Sequence, residues 1–320
     1  MKKILVLHTG GTISMVKKDG GLVVLSSENP LSGHDDIFKT RADLTIKNVF
    51  NLPSPHIGLK EMSELKKIIS RSQDEFDGVV ITHGTDTLEE TAYFLDITLD
   101  KKIPVVLTGA MRSSDDIGSD GLYNFMNAIL VAVSEKSKHQ NVLVVMNDEI
   151  HAAKFVTKTH TTNVDTFRTP TFGPIGIILK DEVYFLSEAT RRNILDINTC
   201  DDDVLLIKAF AGMDETLFEL FLQSEKKGLV IEALGAGNLP PKTLVPLKKI
   251  LDKNIPVALI SRCSNGVSQD IYNYTGGGAE LKQMGLVFVK LINGSKARIR
   301  MAVALNAGLS LSEINDFMAI

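Results

Sequence analysis

The sequence predicts an α/β fold, with a larger N-terminal domain built on a mostly parallel sheet and a smaller C-terminal α/β domain. Two observations lead to this prediction. Short runs rich in Val, Ile and Leu recur without polar alternation, which is typical of strands buried on both faces of a sheet. Segments with helical spacing lie between them, and such alternation indicates βαβ units. The apolar runs are Ile4–Leu7, Val79–Ile81, Val105–Leu107, Val142–Val145, Leu229–Ile231 and Val257–Ile260.

Three helices are predicted between the first strands because apolar residues recur there every three or four positions, which places them on one helix face. The three stripes are Met62, Leu65, Ile68 and Ile69; Leu88, Ala92, Leu95 and Leu99; and Leu122, Phe125, Met126, Ile129 and Val133.

A charged, irregular stretch at Asp181–Asp203 separates the two predicted domains. We predict an N-terminal catalytic domain over residues 1–185, a linker over 186–203 and the smaller domain over 204–320. The apolar run Val204–Ile207 restarts the α/β pattern, and helical segments at about 295–305 and 310–319 follow near the end.

The composition excludes several classes of protein. A net charge of −4 leaves no basic excess to neutralise a phosphate backbone, so no nucleic-acid partner is expected. No apolar run approaches the ~20 residues of a membrane span, and the first run is shorter than the ~7–15 residues of a secretory signal. We therefore expect a cytoplasmic protein without a membrane partner. With only Cys200 and Cys263, a disulfide framework or a cysteine-rich zinc site is excluded.

The residues that follow the predicted strands are glycines, hydroxyls and amides, with few cations. Ligands of open α/β sheets bind beyond the carboxyl ends of the strands. This composition favours a small polar zwitterion over a nucleotide. In Thr9-Gly10-Gly11-Thr12, two glycines permit a tight turn, and a threonine beside free N–H groups suits a nucleophile next to an oxyanion hole. A turn of small residues with a capping hydroxyl is the alternative interpretation.

The next such segment is Thr85-Asp86-Thr87-Leu88-Glu89-Glu90. Thr87 and Glu90 have the spacing of a capping box, so we interpret Thr87 as a helix cap. Asp86 is then either an anchor for a substrate ammonium group or another cap.

A lysine surrounded by hydroxyls occurs at Thr157-Lys158-Thr159. Lys158 is a candidate general base if burial favours its neutral form, and otherwise a surface lysine on a Thr-rich loop. His8 and His83 lack the spacing of metal ligands, and we predict both as buried, hydrogen-bonded residues at strand ends.

Taken together, three segments resemble the bacterial-type L-asparaginases. They are Thr9–Ile13, Gly78–Thr87 and Val156–Thr159. The similarity covers nearly the whole chain in order, with further matches at Thr108–Arg112, Val144–Asp148, Gly235–Asn238 and Gln269-Asp270.

The resemblance implies an amidohydrolase that converts L-asparagine to L-aspartate and ammonia, with no metal and no organic cofactor. Thr12 resembles the primary nucleophile of the family, for which we expect an acyl-enzyme. Thr85, Asp86 and Lys158 resemble its second catalytic group, and Asp86 also matches the residue that contacts the substrate ammonium.

Further residues are implied to bind the substrate. Ser54 matches a serine that binds the substrate carboxylate, and Asn238 resembles an asparagine near the site. We also expect Gly11 and Gly84 to line the site, with main-chain N–H groups at Gly11 and near Thr85 holding the oxyanion.

The chain departs from the family pattern in its tyrosines. Many members carry a catalytic tyrosine after the first strand, whereas residues 13–50 contain none, although Met15–Gly21 is charged and Gly-rich as expected of a lid. The family forms tetramers built from close dimers, so a homotetramer or homodimer with sites at subunit interfaces is expected. Tyr272 or Tyr274 of a partner subunit is our candidate for the missing phenol.

Two alternative functions stay open at this point. One is a glutaminase/asparaginase of mixed specificity, because one methylene in the substrate is worth only ~1–3 kcal/mol. The other is a non-catalytic amino-acid-binding regulatory protein on the same scaffold.

Overall fold

The structure, a computed structural model, describes residues 1–17, 23–25, 38, 40–188 and 193–319. The chain divides into two compact units, Met1–Ile194 and Leu195–Ile320. This division falls within the segment that the sequence predicts as a linker. Of the predicted lid, residues 18–21 lie outside the described part of the chain. No helix formed by the described residues is long and apolar enough to cross a membrane.

The first unit is organised around a sheet to which the described residues contribute eight strands, in the order β12-β11-β8-β7-β6-β5-β1-β4. The unit's strands are β1 Lys3–His8, β2 Met15–Lys17, β3 Val23–Leu25, β4 Asp43–Asn48, β5 Gly78–Thr82, β6 Val105–Thr108, β7 Leu143–Met146, β8 Glu149–Ala152, β9 Thr157–Lys158, β10 Phe167–Arg168, β11 Gly176–Leu179 and β12 Glu182–Phe185. Strands β4, β1, β5, β6 and β7 run parallel, while β8, β11 and β12 continue the sheet antiparallel. The two-stranded ribbons β2–β3 and β9–β10 lie outside this sheet.

Three helices cover this sheet as the apolar stripes predict. They are α1 Leu59–Ser72, α2 Leu88–Thr98 and α3 Gly121–Val133. The predicted stripe residues of α2 are fully buried, as is Leu99, which directly follows the helix. On α3, Phe125 packs edge-on against Phe38, with ring centroids 4.9 Å apart, and tilts against His8 at the end of β1. This packing fixes the core directly beneath the carboxyl edge of the sheet. Short 3₁₀ turns occur at Thr12–Ser14, Ser54–His56 and Glu135–His139.

The second unit has a smaller parallel sheet with the strand order β13-β14-β15-β16. Its elements are β13 Val204–Lys208, α4 Thr216–Gln223, β14 Gly228–Ala233, a 3₁₀ turn Pro241–Thr243, α5 Leu244–Asp252, β15 Val257–Ser261, α6 Gly278–Gln283, β16 Val287–Phe288, α7 Gly294–Asn306 and α8 Leu311–Met318. The α/β class with a larger and a smaller domain is therefore confirmed, as are the last two predicted helices.

Helices α7 and α8 are joined by a buried arginine. Arg300 is 3% exposed, and its guanidinium carbon lies 3.8 Å from the centroid of the Phe317 ring. Its Nε also donates to the Phe317 carbonyl at 2.7 Å. A buried cation stacked on an aromatic face and hydrogen-bonded in this way ties α8 to the rest of the unit.

Candidate active site

The two segments that carry the predicted threonines begin at adjacent strand ends. Strands β1 and β5 are parallel neighbours, with His8 opposite Thr82 in the register. The chain continues from this pair as Thr9–Thr12 on one side and His83–Thr85 on the other. The Thr82 carbonyl accepts from both the N–H and the hydroxyl of Thr9, at 3.1 and 2.9 Å. Both segments therefore leave the sheet at the same carboxyl edge.

The two segments meet at a contact between glycines. Gly11 has φ +81°, and a Cβ added to it would lie 2.2 Å from the Gly84 Cα. A Cβ on Gly84 would in turn lie 2.7 Å from the Ser54 Cβ and 3.1 Å from the Gly11 Cα. The two main chains touch here, and therefore no L side chain fits at either position. Thr12 and Thr85 each follow one of these glycines and lie one residue from the same contact.

Thr85 is in direct contact with the predicted lysine. The Lys158 Nζ donates to the Thr85 Oγ1 at 3.0 Å and to the Asp86 Oδ1 at 2.7 Å. Thr85 is buried at 5% exposure, whereas the Asp86 side chain is 59% exposed. The ammonium group thus links a buried hydroxyl to a carboxylate that faces solvent. This arrangement can hold a hydroxyl oxygen in place and leave part of a carboxylate open to a cationic ligand.

Ser54 joins the same cluster from the 3₁₀ turn that it begins. Its buried Oγ accepts from the Asp86 N–H at 3.2 Å, and its carbonyl accepts from the Thr87 hydroxyl at 2.8 Å. The structure therefore brings Gly11, Thr12, Ser54, Gly84, Thr85, Asp86 and Lys158 to one edge of the first unit.

Glu89 is a member of this cluster that sequence reasoning missed. Its Oε2 accepts from the main-chain N–H of Lys158 at 3.1 Å, and the residue is only 9% exposed. An acidic residue in the first turn of a helix is already explained by its favourable interaction with the helix dipole. No sequence signal connects two residues that are 69 positions apart.

Two sequence-based expectations about local hydrogen bonds are wrong. The Gly11 N–H donates to the Leu52 carbonyl at 3.1 Å, so it is not free to hold an oxyanion. Thr87 does occupy the N-cap position of α2, but its side chain makes no capping bond. Its hydroxyl donates to Ser54 instead, because that carbonyl packs against the start of the helix.

The remaining candidate residues belong to the second unit. The Asn238 Oδ1 accepts from the Gly278 N–H at 3.2 Å, and Asn238 pairs with Leu234 in an isolated bridge. The asparagine thus shapes the turn after β14 and the start of α6. Tyr272 and Tyr274 are 45% and 54% exposed, with ring centroids 6.0 Å apart. Both phenol rings are available at the surface of this unit.

The two histidines beneath the cluster are buried and hydrogen-bonded, as predicted. The His83 Nδ1 donates to the Gly84 carbonyl at 2.8 Å, so its Nε2 accepts from the Thr91 hydroxyl at 2.9 Å. The His8 Nδ1 lies 2.6 Å from the Thr82 Oγ1. Burial lowers the pKa of both histidines from 6.5 to about 4. Across the described ranges, no group of three His, Cys, Asp or Glu side chains is arranged to hold a metal ion.

These pKa values predict a stability that falls with acidification. Between pH 6.5 and about 4, His83 binds a proton in the unfolded chain but not in the folded one. The free energy of unfolding therefore decreases as the pH falls through this window, by at most about 3 kcal/mol for each histidine. The free energy of unfolding, measured by urea denaturation at several pH values from 4 to 7, should rise less steeply with pH in His83→Gln than in the wild type. The exposed His139→Gln should keep the wild-type slope, and an unchanged slope in His83→Gln would contradict the assignment.

Comparison with known proteins identifies the family of both units. Residues 3–191 match the family model described as "Asparaginase, N-terminal", and residues 203–318 match "Glutaminase/Asparaginase C-terminal domain". The chain is 37% identical to a probable L-asparaginase of Deinococcus radiodurans, over 98% of this chain and 96% of that protein. It is 31% identical to an L-asparaginase of Bacillus licheniformis, over 95% of each.

A solved structure agrees with this match. The probable cytoplasmic L-asparaginase from Campylobacter jejuni superposes with a TM-score of 0.89 at 30% identity, covering 99% of each chain. The sequence matches, the two family models and the fold all indicate the same family over nearly the full length of the chain. The chain therefore belongs to the asparaginase family.

Proposed function

We propose that this protein hydrolyses the side-chain amide of L-asparagine to L-aspartate and ammonia. The observation that carries the proposal is the Thr85–Lys158–Asp86 cluster beside the contact between Gly11 and Gly84. It places two threonines and a charged pair at the edge where parallel α/β sheets bind ligands. Membership of the asparaginase family and relatives named L-asparaginases support the choice of reaction.

In the first step, the Thr12 Oγ attacks the amide carbonyl carbon of the substrate side chain. The C–N bond breaks, the threonine hydroxyl proton leaves with the nitrogen as ammonia, and an ester to Thr12 remains. Because a threonine hydroxyl is a weak nucleophile, a neighbouring group must manage this proton. We assign that task to Thr85, whose oxygen Lys158 holds at 3.0 Å.

In the second step, water attacks the ester carbon. One water proton returns to the Thr12 Oγ and the ester C–O bond breaks. The second water proton is released from the new carboxyl group and converts the ammonia of the first step to ammonium, so that aspartate leaves as a carboxylate. Thr85 and Lys158 position this water. Neither step needs a cofactor, because threonine and water supply both nucleophiles.

Both steps place negative charge on the carbonyl oxygen of the substrate. We assign the stabilisation of this charge to the main-chain N–H groups of Thr12 and Thr85. The described residues provide no hydrogen-bond partner for these two N–H groups. Loss of one such donor typically costs about 3–4 kcal/mol of transition-state stabilisation.

The charged ends of the amino acid have separate partners in this proposal. The Asp86 Oδ1 already accepts from Lys158, so we assign the substrate ammonium to the other oxygen, Oδ2, of this largely exposed side chain. The Ser54 hydroxyl accepts from the Asp86 N–H and can donate its own proton to the substrate carboxylate. Gly11 and Gly84 keep this space free of side chains.

A panel of four amides tests the reaction itself. We expect ammonia release to be fastest with L-asparagine, slower with L-glutamine and slowest with the two D-forms. A faster reaction with L-glutamine would favour the glutaminase alternative, which the description of the C-terminal family model also names. Binding of asparagine without turnover would favour a regulatory protein.

Trapping of the acyl-enzyme tests the roles of the two threonines. Thr12→Ala should lower kcat by about 10³-fold or more, while Thr12→Ser keeps a hydroxyl and part of the activity. Thr85→Val should slow hydrolysis of the ester, so that mass spectrometry of quenched reactions finds the added aspartyl group on the peptide that contains Thr12. An ester on Thr85 in the wild-type enzyme would reverse the assignment.

We further propose a homotetramer or homodimer in which a partner subunit completes each site with Tyr272 or Tyr274. Their exposed rings and the absence of tyrosine from residues 13–50 support this proposal. Tyr272→Phe/Tyr274→Phe should lower kcat, and mixing this variant with Thr12→Ala should restore activity through hybrid oligomers. Unchanged kcat in the double variant, or a monomeric mass in solution, would contradict it.

We also place the protein in the cytoplasm. The relative from Campylobacter jejuni is described as a probable cytoplasmic enzyme, and cell fractionation tests the placement.

A further inference from the structure

Lys158 is attached at two points to a single five-residue segment, 85–89. Its side-chain Nζ bonds to Thr85 and Asp86, and its main-chain N–H bonds to the Glu89 Oε2 at 3.1 Å. The segment therefore holds both ends of the lysine. These two attachments set how far the Lys158 side chain extends and in which direction it points.

The strand that carries Lys158 needs such an attachment. Strand β9 has two residues and pairs only with β10 among the described strands. A two-stranded ribbon is marginal by itself. On the side facing β10, the Thr159 N–H donates to the Thr166 carbonyl at 2.8 Å. The Lys158 N–H faces the other way, and Glu89 anchors it to the first turn of α2.

The bond to Glu89 fixes this position more firmly than the ion pair does. The Asp86 carboxylate is 59% exposed, and ion pairs in contact with water contribute little. Glu89 is 9% exposed, and a hydrogen bond shielded from water is stronger than one in contact with solvent. The buried bond thus determines where the Lys158 main chain lies.

We infer that Glu89 is a positioning residue for the amide hydrolysis proposed above, on which this inference rests. Its carboxylate holds the main chain of Lys158 so that the Nζ reaches the Thr85 hydroxyl. In this role Glu89 acts through the main chain of Lys158. What it supplies is a hydrogen-bond acceptor, so its charge is dispensable.

Substitutions at position 89 separate the acceptor from the charge. In Glu89→Gln, the amide oxygen still accepts from Lys158, so kcat should stay within about threefold of the wild type with an unchanged pH profile. In Glu89→Ala, kcat should fall by about 10–100-fold, because a displacement of about 1 Å in a catalytic group has that effect. KM for L-asparagine should change by less than about threefold. Glu90→Ala, one residue along the same helix turn, is the matched control and should keep kcat.

Each outcome decides between the inference and a rival. Wild-type kcat in Glu89→Ala overturns the inference, and equal losses in the Gln and Ala variants overturn it in favour of a role for the charge. If Glu89→Ala fails to fold, Glu89→Asp replaces it: the shortened carboxylate should lower kcat more than Gln does, and a kcat equal to the wild type overturns the inference. If the wild-type enzyme releases no ammonia from any amide, the proposed function itself is overturned. If the wild type is active and the Glu89 variants keep its kcat, only the role of Glu89 is overturned.

Discussion

The main chains of Gly11 and Gly84 touch, and this contact determines the geometry of the whole cluster. Each glycine precedes a threonine, so their separation sets the distance between two hydroxyls that come from segments about seventy residues apart in the sequence. This distance requires glycine at both positions, because a Cβ on either residue would push the two segments apart. Hydrogen bonds alone would not impose the distance. The sheet supports the contact from below, since β1 and β5 are parallel neighbours in register.

Around this contact, the structure uses buried bonds for position and exposed groups for recognition. His83 holds the Gly84 carbonyl, Ser54 holds the Asp86 N–H and Glu89 holds the Lys158 N–H, all through groups shielded from water. Asp86 stays largely exposed, where an incoming ammonium group can reach it. Preorganised groups of this kind cost no reorganisation when charge develops during a reaction.

The sequence predicts the strands, the helices and the edge of the sheet at which the cluster forms, because apolar periodicity and glycine-rich turns are local signals. It does not predict Glu89, since the bond to Lys158 depends on how β9 packs against α2. The same limit explains the errors at Gly11 and Thr87. At Gly11 the sequence suggests a free N–H and at Thr87 a capping oxygen, but tertiary packing brings a carbonyl acceptor to each group, Leu52 in one case and Ser54 in the other. The roles of Asn238, Tyr272 and Tyr274 stay predictions.

The stacking of Arg300 on Phe317 has a consequence for handling the protein. Removal of α8 would take away both the ring on which this buried guanidinium stacks and the carbonyl that accepts its Nε–H. Shortened versions that stop before Leu311 are therefore poor choices for expression or crystallisation. An affinity tag or a fusion partner placed after α8 leaves this pair of helices intact, and a protease that trims the chain there should stop at the helix.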